Sequence, residues 1–237
     1  MKFPCVIKRS GIAPDPSLPV SGNVNPDGLD LAVMRGLQWP NGTVLRVAFL
    51  ERVAPDLRAL IVQHMNAWNR RGTNIRFVES ANDPQIRVTL ARGQGYWSYQ
   101  GTDCLHIPKN EPTMALEGMS MRTSAAEMTR VIRHETGHTL GMVHEHLRKE
   151  VVDRLDRERV IAYYMRWQGW DRQTVIDNVL TVIPQSALIS TRMPELTSIM
   201  TYSIPASLTK DGRAIPGGSN ITNLDAKFAA SIYPVPR

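Results

Sequence analysis

Cysteine is nearly absent from this chain, with Cys5 and Cys104 the only two in 237 residues. Two thiols can form one bridge at most, which excludes a disulfide-scaffolded fold. Long apolar runs are missing as well. The longest, such as Ala59-Leu60-Ile61-Val62, fall far short of the ~20 residues a bilayer-crossing helix needs. The N-terminus, Met1-Lys2-Phe3-Pro4-Cys5-Val6-Ile7-Lys8-Arg9, holds no continuous apolar stretch of signal-peptide length, so the expected location is the cytoplasm or a leaderless export route. Basic residues exceed acidic ones by 28 − 22 = +6, yet no basic run exceeds Lys8-Arg9 or Asn69-Arg70-Arg71. Nor do aromatics alternate with them as single-stranded nucleic acid requires. Nucleic acid and membrane are therefore not expected partners, and the positive balance favours acidic ones only by long-range attraction.

What remains is typical of a globular protein with a sizeable core, 42% hydrophobic and 21% charged. Residues 1–38 stand apart, because Pro4, Pro14, Pro16, Pro19 and Pro26 lack backbone donors and disfavour regular elements. They read as an extended arm. Order is expected from Trp39 onward. Leu45, Val47 and Phe49 alternate as in a strand, and Leu57, Leu60, Ile61, Met65 and Trp68 recur at helix spacing after Pro55, up to Gly72. Short β-prone runs follow at 75–78, 86–90 and 96–99. Ser124 and Glu127 have the spacing of a capping box, opening a helix that should end at Gly141. Further helices are expected over 157–167, 171–180 and 225–232. The order implies an α+β fold, a mixed sheet with a helix packed on one face.

Four of the six histidines fall within thirteen residues, in the run His134-Glu135-Thr136-Gly137-His138-Thr139-Leu140-Gly141-Met142-Val143-His144-Glu145-His146. On a helix His134 and His138 lie one above the other and can converge on one zinc ion. Glu135, on the neighbouring edge, is placed to hold a metal-bound water and act as general base. Gly141 permits a sharp turn that returns His144 as third ligand, leaving the fourth position open as in catalytic zinc sites. Chance produces this whole spacing in on the order of one chain in 50,000. His146 is expected to point away into solvent, and His106 to alternate in a strand; neither is expected to bind metal.

His-Glu-x-x-His-x-x-Gly-x-x-His resembles the zinc signature of the metzincin metallopeptidases. Glu145 after the third histidine resembles the astacin branch, where serralysin-like enzymes have proline and matrixin-like ones usually serine or threonine. Ser198-Ile199-Met200-Thr201-Tyr202 is similar to the astacin Met-turn, with Thr201 where the family usually has histidine and with Met200 lying 56 residues beyond His144. Tyr96-Trp97-Ser98-Tyr99-Gln100-Gly101 is similar to the family's edge strand along the cleft. Arg148 matches a further family arginine, without the aspartate-rich continuation.

The resemblance implies a zinc-dependent endopeptidase with one Zn2+ per chain. It implies a twisted mixed sheet with backing and active-site helices over 39–141, and an irregular C-terminal half over 142–237 carrying the third ligand and Met-turn. Tyr202 is implied as oxyanion stabiliser, Met200 as packing beneath the metal, and Trp97, Ser98 and Tyr99 as the edge that receives an extended peptide. The substrate is then a protein or peptide, and the chain a monomer. With two cysteines the family's disulfides cannot form, which implies a reduced, bacterial, intracellular-type version.

Two points stay open. Glu145 meets either an N-terminal amine, released by cleavage near Arg35-Gly36, or Arg148 three residues on. The arm can also block the metal, through Cys5 or through Asp27 or Asp30, the carboxylates being favoured by the resemblance. The alternative from another class is a zinc-binding peptide-recognition module without turnover. Glu135 and Tyr202 argue against it, since zinc binding alone needs neither.

Overall fold

The computed structural model describes residues 5–12, 31–70 and 72–236. Among the described residues eight strands run in chain order: β1 Val6–Lys8, β2 Ala32–Met34, β3 Val44–Phe49, β4 Arg76–Glu79, β5 Ile86–Thr89, β6 Tyr96–Tyr99, β7 Met114–Leu116 and β8 Leu188–Ser190. Six form one twisted mixed sheet in the order β1-β6-β7-β5-β3-β4, and β2 pairs with β8 in a second, two-stranded sheet. β3, β4, β5 and β7 are mutually parallel, while β6 runs antiparallel to β7. β1 adds to β6 in parallel, with Val6 opposite Trp97 and Lys8 opposite Tyr99.

Two helices, α1 Pro55–Met65 and α2 Ala125–Thr139, pack against each other and against the sheet. Leu57, Ile61 and Met65 of α1 and Met128, Val131 and Ile132 of α2 join Leu45, Val47, Phe77 and Val88 in the main core. α1 stops at Met65, short of Gly72, because the Asn66 side chain bonds both the amide and the carbonyl of Phe77 in β4, at 2.9 and 2.8 Å. The C-terminal half holds α3 Lys149–Val152, α4 Arg157–Gln168, α5 Arg172–Val175 and α6 Asn223–Ile232, with a separate core around Val160, Tyr164, Val179 and Ile204. The helix expected over 171–180 is α5 followed by a π-helical turn at Ile176–Leu180.

Several expectations are corrected. Residues 31–38 do not belong to an extended arm: Leu31, Ala32 and Val33 are fully buried, and β2 is held by β8 through Leu188 to Ser190. Hydrophobicity outweighed the proline count there, since Leu31-Ala32-Val33-Met34 lies beyond the last arm proline. His106 ends a 3-10 helix, Gly101–His106, and is not in a strand. Ser124 caps α2 by accepting from the Glu127 amide, but Glu127 turns its carboxylate to Arg130 and leaves the box half closed. A complete capping box forms instead at Thr222 and Asp225. Among the described residues no helix is long and apolar enough to cross a membrane. Asp27 and Asp30 lie outside the described residues.

Candidate active site

The second half of α2 is buried on all sides, from His134 to Thr139. It ends in a Schellman turn: Gly141 N–H bonds the His138 carbonyl at 2.7 Å and Met142 N–H the Gly137 carbonyl at 3.0 Å. Gly141 has φ +86°, a left-handed conformation that a side chain would strain. The chain then runs beside β2, with Met34 N–H on the Gly141 carbonyl and Val143 N–H on that of Ala32. This pairing returns His144 to the face of α2.

The Nε2 atoms of His134 and His138 each lie 3.0 Å from Nε2 of His144. The other ring nitrogens of the first two have fixed partners. His134 Nδ1 faces the Ile199 carbonyl at 2.6 Å and His138 Nδ1 the Met142 carbonyl at 2.8 Å. A carbonyl only accepts, so both Nδ1 atoms carry the proton and both Nε2 lone pairs face inward. Lone pairs converging in a buried pocket are stable only around a cation, and burial lowers the pKa values of all three rings, keeping them neutral as ligands must be. Tetrahedral zinc with nitrogen ligands at 2.0–2.1 Å separates those ligands by about 3.3 Å, so the donor set fits. Carbonyls on the far ring nitrogens supply the outer-shell support such ligands use.

Glu135 is buried beside the triad, and burial raises its carboxyl pKa to about 8. On its other side is Cys5, whose thiol donates to Oε2 at 3.1 Å. The Cys5 sulfur and the three histidines offer ligand atoms all within 4.8 Å of one another. The Tyr202 hydroxyl donates to the backbone carbonyl of the same Cys5. Of the open choice between Cys5 and the two aspartates, the described residues bring Cys5 to the histidines. Its signal in the sequence was the β-prone Val6-Ile7 after it, able to extend the sheet. The arm is fastened further by Ser10, whose amide and hydroxyl both bond Asp103, and by Lys8, whose ammonium sits 3.8 Å from the Trp97 ring centre.

Met200 lies under α2 so closely that a Cβ on Gly137 would meet its sulfur at 2.4 Å. Its turn is anchored by Asp225, which accepts from Ser198 Oγ at 2.6 Å and Ile199 N at 3.2 Å. Glu145 and Arg148 are both buried, 3.4 Å apart, so the local pair is the one present; burial raises Glu145 to about 8 against the pull of Arg148. Cleavage at Arg35-Gly36 would cut β2 away from the domain it supports. Ser98 turns its hydroxyl inward to Thr139 at 3.1 Å, and the backbone of Trp97, Ser98 and Tyr99 pairs with β1.

His146 is the largest departure. It is fully buried, not solvated, with Nε2 on the Asn178 carbonyl at 3.0 Å and its ring stacked on Tyr202 at 3.9 Å. No spacing rule marks it, because both contacts come from elements distant in sequence.

The family model for Astacin, a peptidase family, matches residues 34–214. Zinc metalloproteinase nas-27 of Caenorhabditis elegans is 30% identical over 91 residues, covering 38% of this chain and 19% of that protein. The match thus spans about a fifth of that relative's length. A solved structure of myroilysin superposes with a TM-score of 0.81 at 35% identity, over 87% of this chain and 100% of that one. A second structure of myroilysin gives 0.62 at 34%, over 89% of each chain. High choriolytic enzyme 1, a hatching enzyme zinc-protease from the medaka fish Oryzias latipes, shares the fold with a TM-score of 0.55 at 19% identity, over 84% and 96% of the two chains. With three-quarters of its length inside the family model, the chain belongs to the astacin family of zinc-dependent metalloendopeptidases.

Proposed function

We propose that this chain is a latent, monomeric endopeptidase acting on proteins or peptides, in which Glu135 moves the protons, Tyr202 steadies the oxyanion and the segment 5–12 covers the cleft. The observation that carries this reading is that Glu135 and Tyr202 flank the three histidines and both contact Cys5, part of an extended segment lying on the sheet edge. His134, His138 and His144 would hold the zinc, which when bound would supply Lewis acidity and lower the pKa of a water in the cleft towards neutrality.

The chain's own residues do the rest. Glu135 accepts a proton from the attacking water and returns it to the departing amine, a task suited to a carboxyl whose pKa lies near neutrality. Tyr202 donates its hydroxyl to the carbonyl oxygen as negative charge develops there. The Cys5 carbonyl stands in for that acceptor in the closed form. The edge of β6 receives the substrate backbone as it receives Val6 to Lys8, so Trp97, Ser98 and Tyr99 act through main-chain bonds. Cys5 restrains the enzyme by occupying the open side of the histidine cluster and engaging the base.

The test compares full-length wild type, Cys5→Ala and Glu135→Ala for zinc per chain, by elemental analysis, and for cleavage of casein. We expect one zinc in each, immediate cleavage by Cys5→Ala, delayed cleavage by wild type and none by Glu135→Ala. Equal rates for wild type and Cys5→Ala would remove the latency role. Zinc binding by all three with no cleavage by any would favour a binding module.

A further inference from the structure

Tyr202 presents its hydroxyl at an angle set by what its ring packs against, and none of the zinc ligands stacks flat on that ring. His134 is 6.5 Å away, centre to centre, and His144, at 4.6 Å, meets the ring tilted by 56°. The group lying flat against the phenol ring is His146, 3.9 Å between centres and 25° between planes. We propose that His146 is a positioning residue for catalysis, a fixed platform that sets the angle of Tyr202. The inference deepens the reading of Tyr202 as oxyanion donor and rests on it.

Three contacts make the platform rigid. The Asn178 carbonyl, 3.0 Å from Nε2, can only accept, so Nε2 carries the ring proton. Nδ1 is then a bare acceptor, and it faces the Tyr202 amide at 3.4 Å. The imidazole thus grips Tyr202 twice, by stacking on the ring and by accepting from the backbone of the same residue. The third contact is with His144, whose ring lies 4.8 Å from that of His146 and is tilted from it by 31°, so ligand and platform adjoin.

The anchor has a structural cause of its own. Asn178 lies in the π-helical turn at Ile176–Leu180, and such turns are frequent at functional sites because the wider winding re-aims backbone groups. Asn178 is itself fixed, its amide donating to the Thr174 carbonyl at 2.9 Å. Nothing in zinc binding requires a buried histidine here, since His146 offers no atom to the metal cluster. The chain nonetheless buries a polar ring between the π-turn and the tyrosine.

The test is a double-mutant cycle in the full-length Cys5→Ala chain: His146→Ala, His146→Phe, Tyr202→Phe and both double variants, with zinc content and thermal midpoint measured for each. His146→Ala should lower kcat on the order of 10- to 100-fold with little change in KM, as loss of alignment does. His146→Phe, which keeps a stacking face but loses both hydrogen bonds, should fall between it and the parent. In the Tyr202→Phe background neither change should lower kcat further, because there is no hydroxyl left to aim. A His146 loss that persists in full beside Tyr202→Phe would overturn the inference and leave the tyrosine's role intact. No loss on Tyr202→Phe alone would overturn both. Amide hydrogen exchange at Tyr202 needs no turnover and should quicken in both His146 variants; unchanged exchange also overturns the proposal.

Discussion

The Cys5 thiol donates to Oε2 of Glu135 at 3.1 Å, across 130 residues of sequence. One side chain of the arm thereby reaches both the base and the open face of the histidine cluster. Burial, with Glu135 beside it, pushes the thiol above its ordinary range, so it keeps the proton that it shares with that carboxyl group. Its hold depends on contacts farther along the arm, of which the bonds from Ser10 to Asp103 are the most specific. Ser10→Ala removes the hydroxyl bond and keeps the amide bond, a change of about 1 kcal/mol. Basal casein cleavage by the full chain should rise about fivefold, and an unchanged initial rate would show that Cys5 alone sets the latency.

Gly137 faces Met200 inside α2. A Cβ there would lie 2.4 Å from the methionine sulfur and 3.1 Å from the Trp68 ring, so Gly137→Ala should destabilise by about 1–3 kcal/mol. Urea unfolding measures it. In combination with Met200→Ala the cost should be less than the sum of the two, because the shorter side chain makes room for the methyl group.

Asp225 ties α6 to the turn whose Ile199 carbonyl holds His134 Nδ1. Replacing it with alanine leaves Ser198 Oγ and the amides of Ile199 and Thr222 without their acceptor. Zinc affinity should fall about 10- to 100-fold, the usual consequence of disturbing a ligand's outer partner. Competition against a chromogenic chelator reads this directly, and Asp225→Asn should be milder.

Two inward-facing lone pairs, each 3.0 Å from Nε2 of His144, make the pocket dependent on its metal for stability. At a thousandfold excess over Kd, zinc adds about 4 kcal/mol. At about 2–4 °C per kcal/mol for a chain of this size, chelation should lower the thermal midpoint by about 8–16 °C. In His144→Ala the same treatment should change the midpoint far less.

The zinc ligands were legible because their geometry is local: a helical repeat of four and a glycine turn bring them together within eleven residues. The elements with clean periodicity, β3 to β6 and the helices α1 and α2, were legible for the same reason, whereas the three-residue β7 was too short to show a period. What escaped was decided at long range. Val6 becomes a strand only because Trp97 offers an edge, and Leu31 to Met34 only because Leu188 to Ser190 lie alongside. His146 reads as solvent-exposed until the π-turn and Tyr202 close over it. Glu127 met an arginine one turn on, which outweighed its backward reach to the cap.

The pairing of β2 with β8 has a temporal meaning. Leu31 bonds Thr191, 160 residues later, and the strand they secure is the one that turns His144 towards its fellow ligands. At ~5–20 residues per second, a ribosome needs about 8–30 s to make the stretch between them. Over the last 47 of those residues, about 2–9 s, the nascent polypeptide carries all three histidines without the brace that aligns them. The cutting centre is therefore braced only once Thr191 is in place, and until then the growing chain holds no aligned centre that could cut it.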